Sequence, residues 1–245
     1  MGAVPNWEWN SLLQKEKLLD FFVNISIPAA DKRNEKIPNA AIVCQYPRLA
    51  DFIISEMSGV LQNREIVLQK SLGKQPGDIC ALFSQLQERT VLFLRQGNCV
   101  KNLNKEAHDI FSQAVSCGSV ALTLGKGSAS RVWNLELPVF TVIAFFETLQ
   151  EIDKSIRPCF EHVIEIGSLS DEEYCQLEVH AVAKENNMIF DSDSIELIAS
   201  AANKDYRIAN RYVRWIRDYT LVHGEQFSTT PLEYVEKVIS LYCLF

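Results

Sequence analysis

Val91-Leu92-Phe93-Leu94 is an unbroken apolar run that ends at Arg95 and lies between two stretches of helical periodicity. A strand apolar on both faces belongs inside a sheet covered on both sides, which is the setting of parallel strands in α/β folds. Ala40-Ala41-Ile42-Val43 has the same texture upstream, and Pro138-Val139-Phe140-Thr141-Val142-Ile143-Ala144 has it downstream. Glu65–Leu68 and His162–Ile166 read as further strands. Helical spacing separates them: Leu12 to Val23, then Leu49, Phe52, Ile53 and Met57, then a helix opened by Pro76-Gly77-Asp78 with Asp78 as N-cap. Ser119–Leu124 and Arg131–Leu137 read as a hairpin around the tip Gly125–Ser130. After Gly167 the texture changes. Ser170-Asp171-Glu172-Glu173 is a helix start, and only helical patterns follow, at about 171–186, 192–202, 206–222 and 231–243. The expectation is an α/β domain over 1–166 and a small all-helical domain over 167–245.

The bulk composition limits the function classes. The chain has 245 residues, 47% of them hydrophobic and 22% charged, which supports a folded core rather than an acidic disordered tail. Its longest apolar runs fall far short of the about 20 residues that a membrane helix needs. Met1-Gly2-Ala3-Val4-Pro5-Asn6 has neither the basic nor the apolar region of a secretory signal, so a cytoplasmic protein is expected. A net charge of −7 excludes a uniformly basic nucleic-acid coat protein. The seven cysteines contain no CxxC pair and the four histidines stand singly, so reduced thiols and no metal site are expected.

Four segments resemble the RuvB-like branch of the AAA+ ATPases, the bacterial Holliday-junction motors. Lys74-Gln75-Pro76-Gly77-Asp78-Ile79-Cys80-Ala81-Leu82-Phe83 is similar to the family's "KPGDLAAIL". Gly125-Lys126-Gly127-Ser128-Ala129-Ser130-Arg131 resembles the "GKGPSAR" hairpin, one residue shorter. Leu137–Ile143 resembles "LPPFTLI", the strand that leads to sensor 1, and Arg207-Ile208-Ala209-Asn210-Arg211 resembles the sensor 2 helix. Order and spacing match over roughly residues 10–240. The resemblance implies a P-loop-type parallel sheet followed by a helical lid. It also implies ATP and magnesium as family cofactors. The family's third, winged-helix domain has no counterpart in the chain as it stands.

The residues for that chemistry are altered. A phosphate cradle needs glycine-rich backbone N–H groups, a lysine and a hydroxyl for magnesium. At the family's "GPPGLGKTT", this chain reads Cys44-Gln45-Tyr46-Pro47-Arg48, about four residues shorter, with no glycine or lysine. At the Asp–Glu pair of "VLFIDEIHRL", it reads Arg95-Gln96. A guanidinium about 4 Å from a divalent ion is repelled by roughly 8 kcal/mol at an effective dielectric of 20, and an amide cannot serve as a carboxylate base. Sensor 1 becomes Ala144-Phe145-Phe146-Glu147-Thr148. Of the finger segment "PLRDRFG", Arg157 survives and Cys159 stands at the second arginine. Tyr46, Phe145, Phe146 and Arg95 are expected to pack into the former nucleotide site. No cofactor is expected.

Two features persist. Arg207 matches sensor 2, though Arg207, Arg211 and Arg214 at i, i+4 and i+7 are equally the solvated face of a helix. With Lys204 and Arg217 they form the one dense basic cluster, a candidate for weak, salt-sensitive contact with DNA or another anion. In the family the hairpin docks the junction-binding partner RuvA. Here Leu122, Leu124, Lys126, Arg131 and Trp133 are the corresponding candidates, and an exposed Trp133 would favour a contact surface. The expected function is a catalytically inactive RuvB-like subunit for recombination, repair or replication. Its partner would be a RuvA-like protein, an active RuvB-like subunit or another replication protein. The alternatives are an ATP-driven branch-migration helicase and a clamp-loader-like subunit.

Overall fold

The computed structural model describes residues 9–61, 63–124, 131–223 and 229–242. Contacts divide the chain into two units, residues 16–167 and residues 1–15 with 168–245. The boundary thus falls one residue after the expected one, and residues 1–15 group with the helical unit rather than the α/β core. Within that unit Lys15 Nζ donates to Glu173 Oε1 at 3.0 Å.

The first expected helix is interrupted. It becomes α1 (Trp9–Lys15), α2 (Lys17–Phe21), a π-helical turn over Phe22–Ser26 and α3 (Ile27–Arg33). Glu16, at φ −101° and ψ 81°, leaves the helical region and ends α1. The α/β unit continues with β1 (Ala40–Val43), α4 (Pro47–Val60), β2 (Ile66–Gln69), α5 (Pro76–Ser84), β3 (Val91–Leu94) and α6 (Lys105–Cys117). The hairpin strands β4 (Ser119–Leu124) and β5 (Arg131–Glu136) follow, then β6 (Thr141–Phe146) and β7 (His162–Glu165). The N-cap of α5 is Gln75 and not Asp78; Asp78 sits at the third helical position, and its carboxylate accepts the Gln75 N–H at 3.2 Å.

Five strands form one parallel sheet in the order β2-β3-β6-β1-β7. The three central strands are buried along their whole length, as their continuous apolar runs require. Register sets Val43 beside Phe146 and Leu94 beside Ala144. The carboxyl ends of β1 and β3 therefore flank that of β6, the place where open α/β sheets bind ligands.

The helical unit contains α7 (Asp171–Glu185), α8 (Ser192–Ala201), α9 (Tyr206–His223) and α10 (Leu232–Tyr242) around a core of Val179, Ile198, Val213, Ile216, Val235 and Val238. Ser170 and Glu173 close a capping box at the start of α7, and the Asp191 side chain caps α8.

Candidate functional site

Only Cys44, Gln45 and Tyr46 connect β1 to α4. The Cys44 N–H donates to the Phe146 carbonyl at 2.7 Å, which extends the strand ladder past β1 and uses the first donor of the turn. The Cys44 thiol donates to the Tyr46 carbonyl at 3.3 Å, and burial pushes its pKa up to about 11. Tyr46 occupies the N-cap of α4 without a side-chain capping bond, and Pro47, with no N–H, takes the first helical position. Gln45 is exposed and Arg48 half-buried. A three-residue turn followed by proline has too few free N–H groups to enclose a polyphosphate.

Arg95 leaves the end of β3 and meets α4. Its Nε pairs with the Asp51 carboxylate, and Nη2 donates to the Pro47 carbonyl at 2.7 Å. The charge of the guanidinium is thus already answered within the protein. Its neighbour Gln96 is exposed. Gly97, next along, is buried against β6, and a Cβ there would come within 2.6 Å of the Phe146 ring. A bulkier residue would push Phe146 out of place.

Phe145 and Phe146 are both buried, on opposite faces of β6. Phe145 lies 6.4 Å from Phe93, and Phe146 meets Phe160 edge-on at 6.0 Å. What remains of the expected nucleotide site is a cleft of about 80 Å³ lined by Cys44, Pro47, Ala50, Arg95, Phe145 and Phe146, with Gln96, Asn98, Glu147 and Glu151. Ligand sites typically have about 300–1,000 Å³. Phe145, Phe146 and Arg95 converge there as expected, whereas Tyr46, at the N-cap of α4, does not line the cleft. The two glutamates add negative charge where a triphosphate would bring more. ATP with magnesium does not fit these residues. Asp51, Asn98, Gly97 and Glu151 were not singled out from sequence. Asp51 lies 44 residues from Arg95, so no local pattern could signal the pair, whereas Gly97 directly after Arg95-Gln96 was a readable sign.

Cys159 is buried in the core, accepts from Ser116 Oγ at 3.4 Å and offers its carbonyl to Asn39 Nδ2 at 3.1 Å. Arg157 is exposed and donates to the Phe160 carbonyl at 3.1 Å. In the helical unit, Arg207 forms a two-pronged contact with Asp205, at 3.1 Å from Nε and 3.0 Å from Nη2. Lys204 pairs with Glu172 at 2.9 Å. Arg217 is held by Asn186 and Asp218, each at 2.7 Å. Arg211 and Arg214 are exposed and have no partner among the described residues. Three members of the basic cluster are thus neutralised or tethered locally.

The hairpin pairs Leu122 with Trp133 and Val120 with Leu135. Val120 is buried at its base, whereas Trp133 is 54% and Val132 69% exposed. Lys126 and the tip 125–130 lie outside the described residues, as do the side chains of Leu122, Leu124 and Arg131. Among the described residues no group of acids, histidines and cysteines could hold a metal ion, and no helix is long and apolar enough to cross a membrane.

A parallel sheet in this order, a cleft where β1, β6 and β3 end, and a separate helical unit define an AAA+ α/β domain with a helical lid. The family model of the Holliday junction DNA helicase RuvB P-loop domain matches residues 10–166. The RuvB subunit of the Holliday junction branch migration complex of Kosmotoga olearia is 28% identical over 206 residues, which cover 82% of this chain and 58% of that protein. The Thermotoga maritima RuvB branch migration motor superposes with a TM-score of 0.62 at 17% identity, over 92% of this chain and 68% of that one. NtrX from Brucella abortus, solved with ADP, shares the fold at a TM-score of 0.52 and 9% identity, over 93% of this chain and 54% of that one. The chain belongs to the RuvB P-loop domain family. It spans 58% of the length of the Kosmotoga relative.

Proposed function

We propose that this chain is a RuvB-like subunit that has lost nucleotide binding and acts by binding other proteins in DNA recombination, repair or replication. One observation carries the reading. The guanidinium of Arg95 is bonded to Asp51 and to the Pro47 carbonyl where the family holds magnesium. A divalent ion would have to displace that pair and then sit against the released positive charge. The short β1–α4 turn and the small glutamate-lined cleft support the same conclusion. A RuvA-like protein or an active RuvB-like subunit is the expected partner. The exposed Val132 and Trp133 on the hairpin offer the contact, since large aromatics are favoured anchors. DNA contact, if made, is weak, because only Arg211 and Arg214 of the basic cluster remain unpaired among the described residues.

The second reading, an ATP-driven branch-migration motor, draws on the family match over residues 10–166. Titration calorimetry separates the two. Mg-ATP, and separately metal-free ADP, should bind no tighter than millimolar. A micromolar dissociation constant for Mg-ATP would restore the motor.

A further inference from the structure

We infer that the helical unit holds a binding site for a carboxylate carried on a short aliphatic body, such as a C-terminal aliphatic residue or a free branched acid. The site is a cavity of about 440 Å³, within the range of about 300–1,000 Å³ typical of ligand sites. Its walls come from the turn after α7 and the last turns of α9, with Thr230 just ahead of α10. Backbone bonds shape these walls. Asn187 takes the left-handed region at φ 55°, which asparagine tolerates, and the Met188 N–H returns to the Ala183 carbonyl at 2.9 Å. The Thr230 N–H donates to the Ile189 carbonyl at 2.8 Å and ties the third wall to that turn. The cavity shares no residue with the cleft at the sheet, so the site stands whether or not that cleft takes nucleotide.

The lining has donors to spare. Thr230 is only 6% exposed, yet its hydroxyl has no hydrogen-bond partner among the described residues. A buried hydroxyl in that state costs stability unless a ligand or water supplies the bond. Arg217 brings five N–H groups. Three are spent: Nε and Nη2 on Asp218 Oδ1 at 2.9 and 2.7 Å, and Nη1 on Asn186 Oδ1 at 2.7 Å. One N–H on each terminal nitrogen remains, and the same partners hold the fork in place. Asp218 does not line the cavity and its carboxylate is 59% exposed, so water screens it. Arg217 is therefore the one charged residue of the described lining, and a two-oxygen anion matches its fork. Apolar surface sets the rest of the ligand. Ile189 is 62% and Leu221 75% exposed beside the partly buried Met188, and an aliphatic body would cover them. Inorganic phosphate would leave that surface in water. A neutral aliphatic would leave the fork unanswered, and no aromatic ring among the lining residues could stack a base.

The test titrates the intact chain with small probes at matched ionic strength and follows amide and methyl resonances. N-acetyl-leucine should shift the Asn187 and Thr230 amides and the Ile189 and Leu221 methyls saturably. N-acetyl-leucinamide, which lacks only the charge, should bind about tenfold more weakly, and inorganic phosphate should leave these signals in place. Comparison with 4-methylpentanoate separates the two sources of the ligand. Tighter N-acetyl-leucine binding assigns the site to a polypeptide C-terminus, and equal or tighter binding of the simple acid assigns it to a free carboxylate. Arg217→Gln should weaken N-acetyl-leucine about tenfold, and Thr230→Val, which keeps the shape, roughly fivefold. Lys32→Gln, which removes the same charge from an exposed position on α3, should have no effect. Melting curves verify folding, and Thr230→Val with the exposed-site variant Leu221→Ser carries the test if Arg217→Gln does not fold. Shifts that never saturate, equal binding of the amide, or binding unchanged in Arg217→Gln and Thr230→Val would overturn the inference.

Discussion

At the scale of single residues, charge is stored in pairs that the chain must keep. Arg64 is the most buried case: its side chain is 3% exposed, it pairs with Asp31, and its Nε and Nη1 have no partner. Arg89 reaches the same Asp31 oxygen at 3.3 Å, so one carboxylate answers two guanidiniums. Removing that carboxylate leaves an uncompensated buried charge, which costs more than the pair contributes when intact. Asp31→Asn should lower unfolding free energy by about 2 kcal/mol in urea melts, below the fully buried range because Asp31 is half-exposed. Adding Arg64→Met should recover part of the loss, and a strictly additive double variant would show that the two do not interact. Cys44 gives a pH-dependent counterpart. Its folded pKa lies above that of the unfolded thiol, so the native state holds the proton more tightly. The resulting stability is fully present below the ordinary thiol range and is lost as pH climbs toward about 11. Wild type should therefore lose stability more steeply than Cys44→Ala across that window, while the two curves run parallel between pH 6 and 8. Exposed Cys117 should alkylate first at pH 8, with Cys44 protected by folding. Equal labelling rates for the two thiols would contradict the burial argument.

At the scale of elements, the hairpin separates a structural role from a docking role. Val120 and Leu135 face each other near the base, where Gly118, at φ 68°, ends α6 and turns the chain into β4. Trp133 stands further out and remains 54% exposed, so it contributes little to folding. Trp133→Ala should change stability by no more than about 0.5 kcal/mol yet abolish co-precipitation with a RuvA-like or RuvB-like partner. Retained co-precipitation would move the docking surface elsewhere. Elements of this kind were largely legible in the sequence. Continuous apolar runs marked β1, β3 and β6 because both faces of those strands are covered, and the shift in texture after Gly167 marked the helical unit. The interruption of the first helix was not legible, since apolar spacing continues straight through Glu16 and the turn of Phe22–Ser26. At the site, departures from the family's motifs could be read position by position, because each is a local substitution. The replacement could not. The pairing of Arg95 with Asp51 depends on a contact between distant segments that no spacing rule encodes, whereas Glu151 reaches the end of β6 through a local turn that returns its carboxylate to the Glu147 N–H.

At the scale of the whole molecule, the question is what holds this chain to its neighbours. In a nucleotide-bridged assembly, ligand bound between subunits favours the assembled state, and the shift equals its differential affinity for the two states. Here the cradle is a three-residue turn, Arg95 is bonded internally, and Cys159, at the expected finger position, is buried in the core. On the function proposed above, neither half of such a bridge survives. A ligand that binds neither state cannot move the equilibrium between them, however the subunits pack. The isolated chain should therefore show the same mass by light scattering at micromolar concentration with and without Mg-ATP. Its melting temperature should also be unmoved by millimolar Mg-ATP, whereas a ligand at 100 times its dissociation constant would add about 2.7 kcal/mol. An assembly held by protein contacts alone would appear as a mass that depends on protein concentration and not on nucleotide. If Mg-ATP instead raised both the mass and the melting temperature, the Arg95–Asp51 pair must open to admit it. Arg95→Ala should then strengthen that response by removing the competing cation; with the cleft closed to nucleotide, the same variant stays silent.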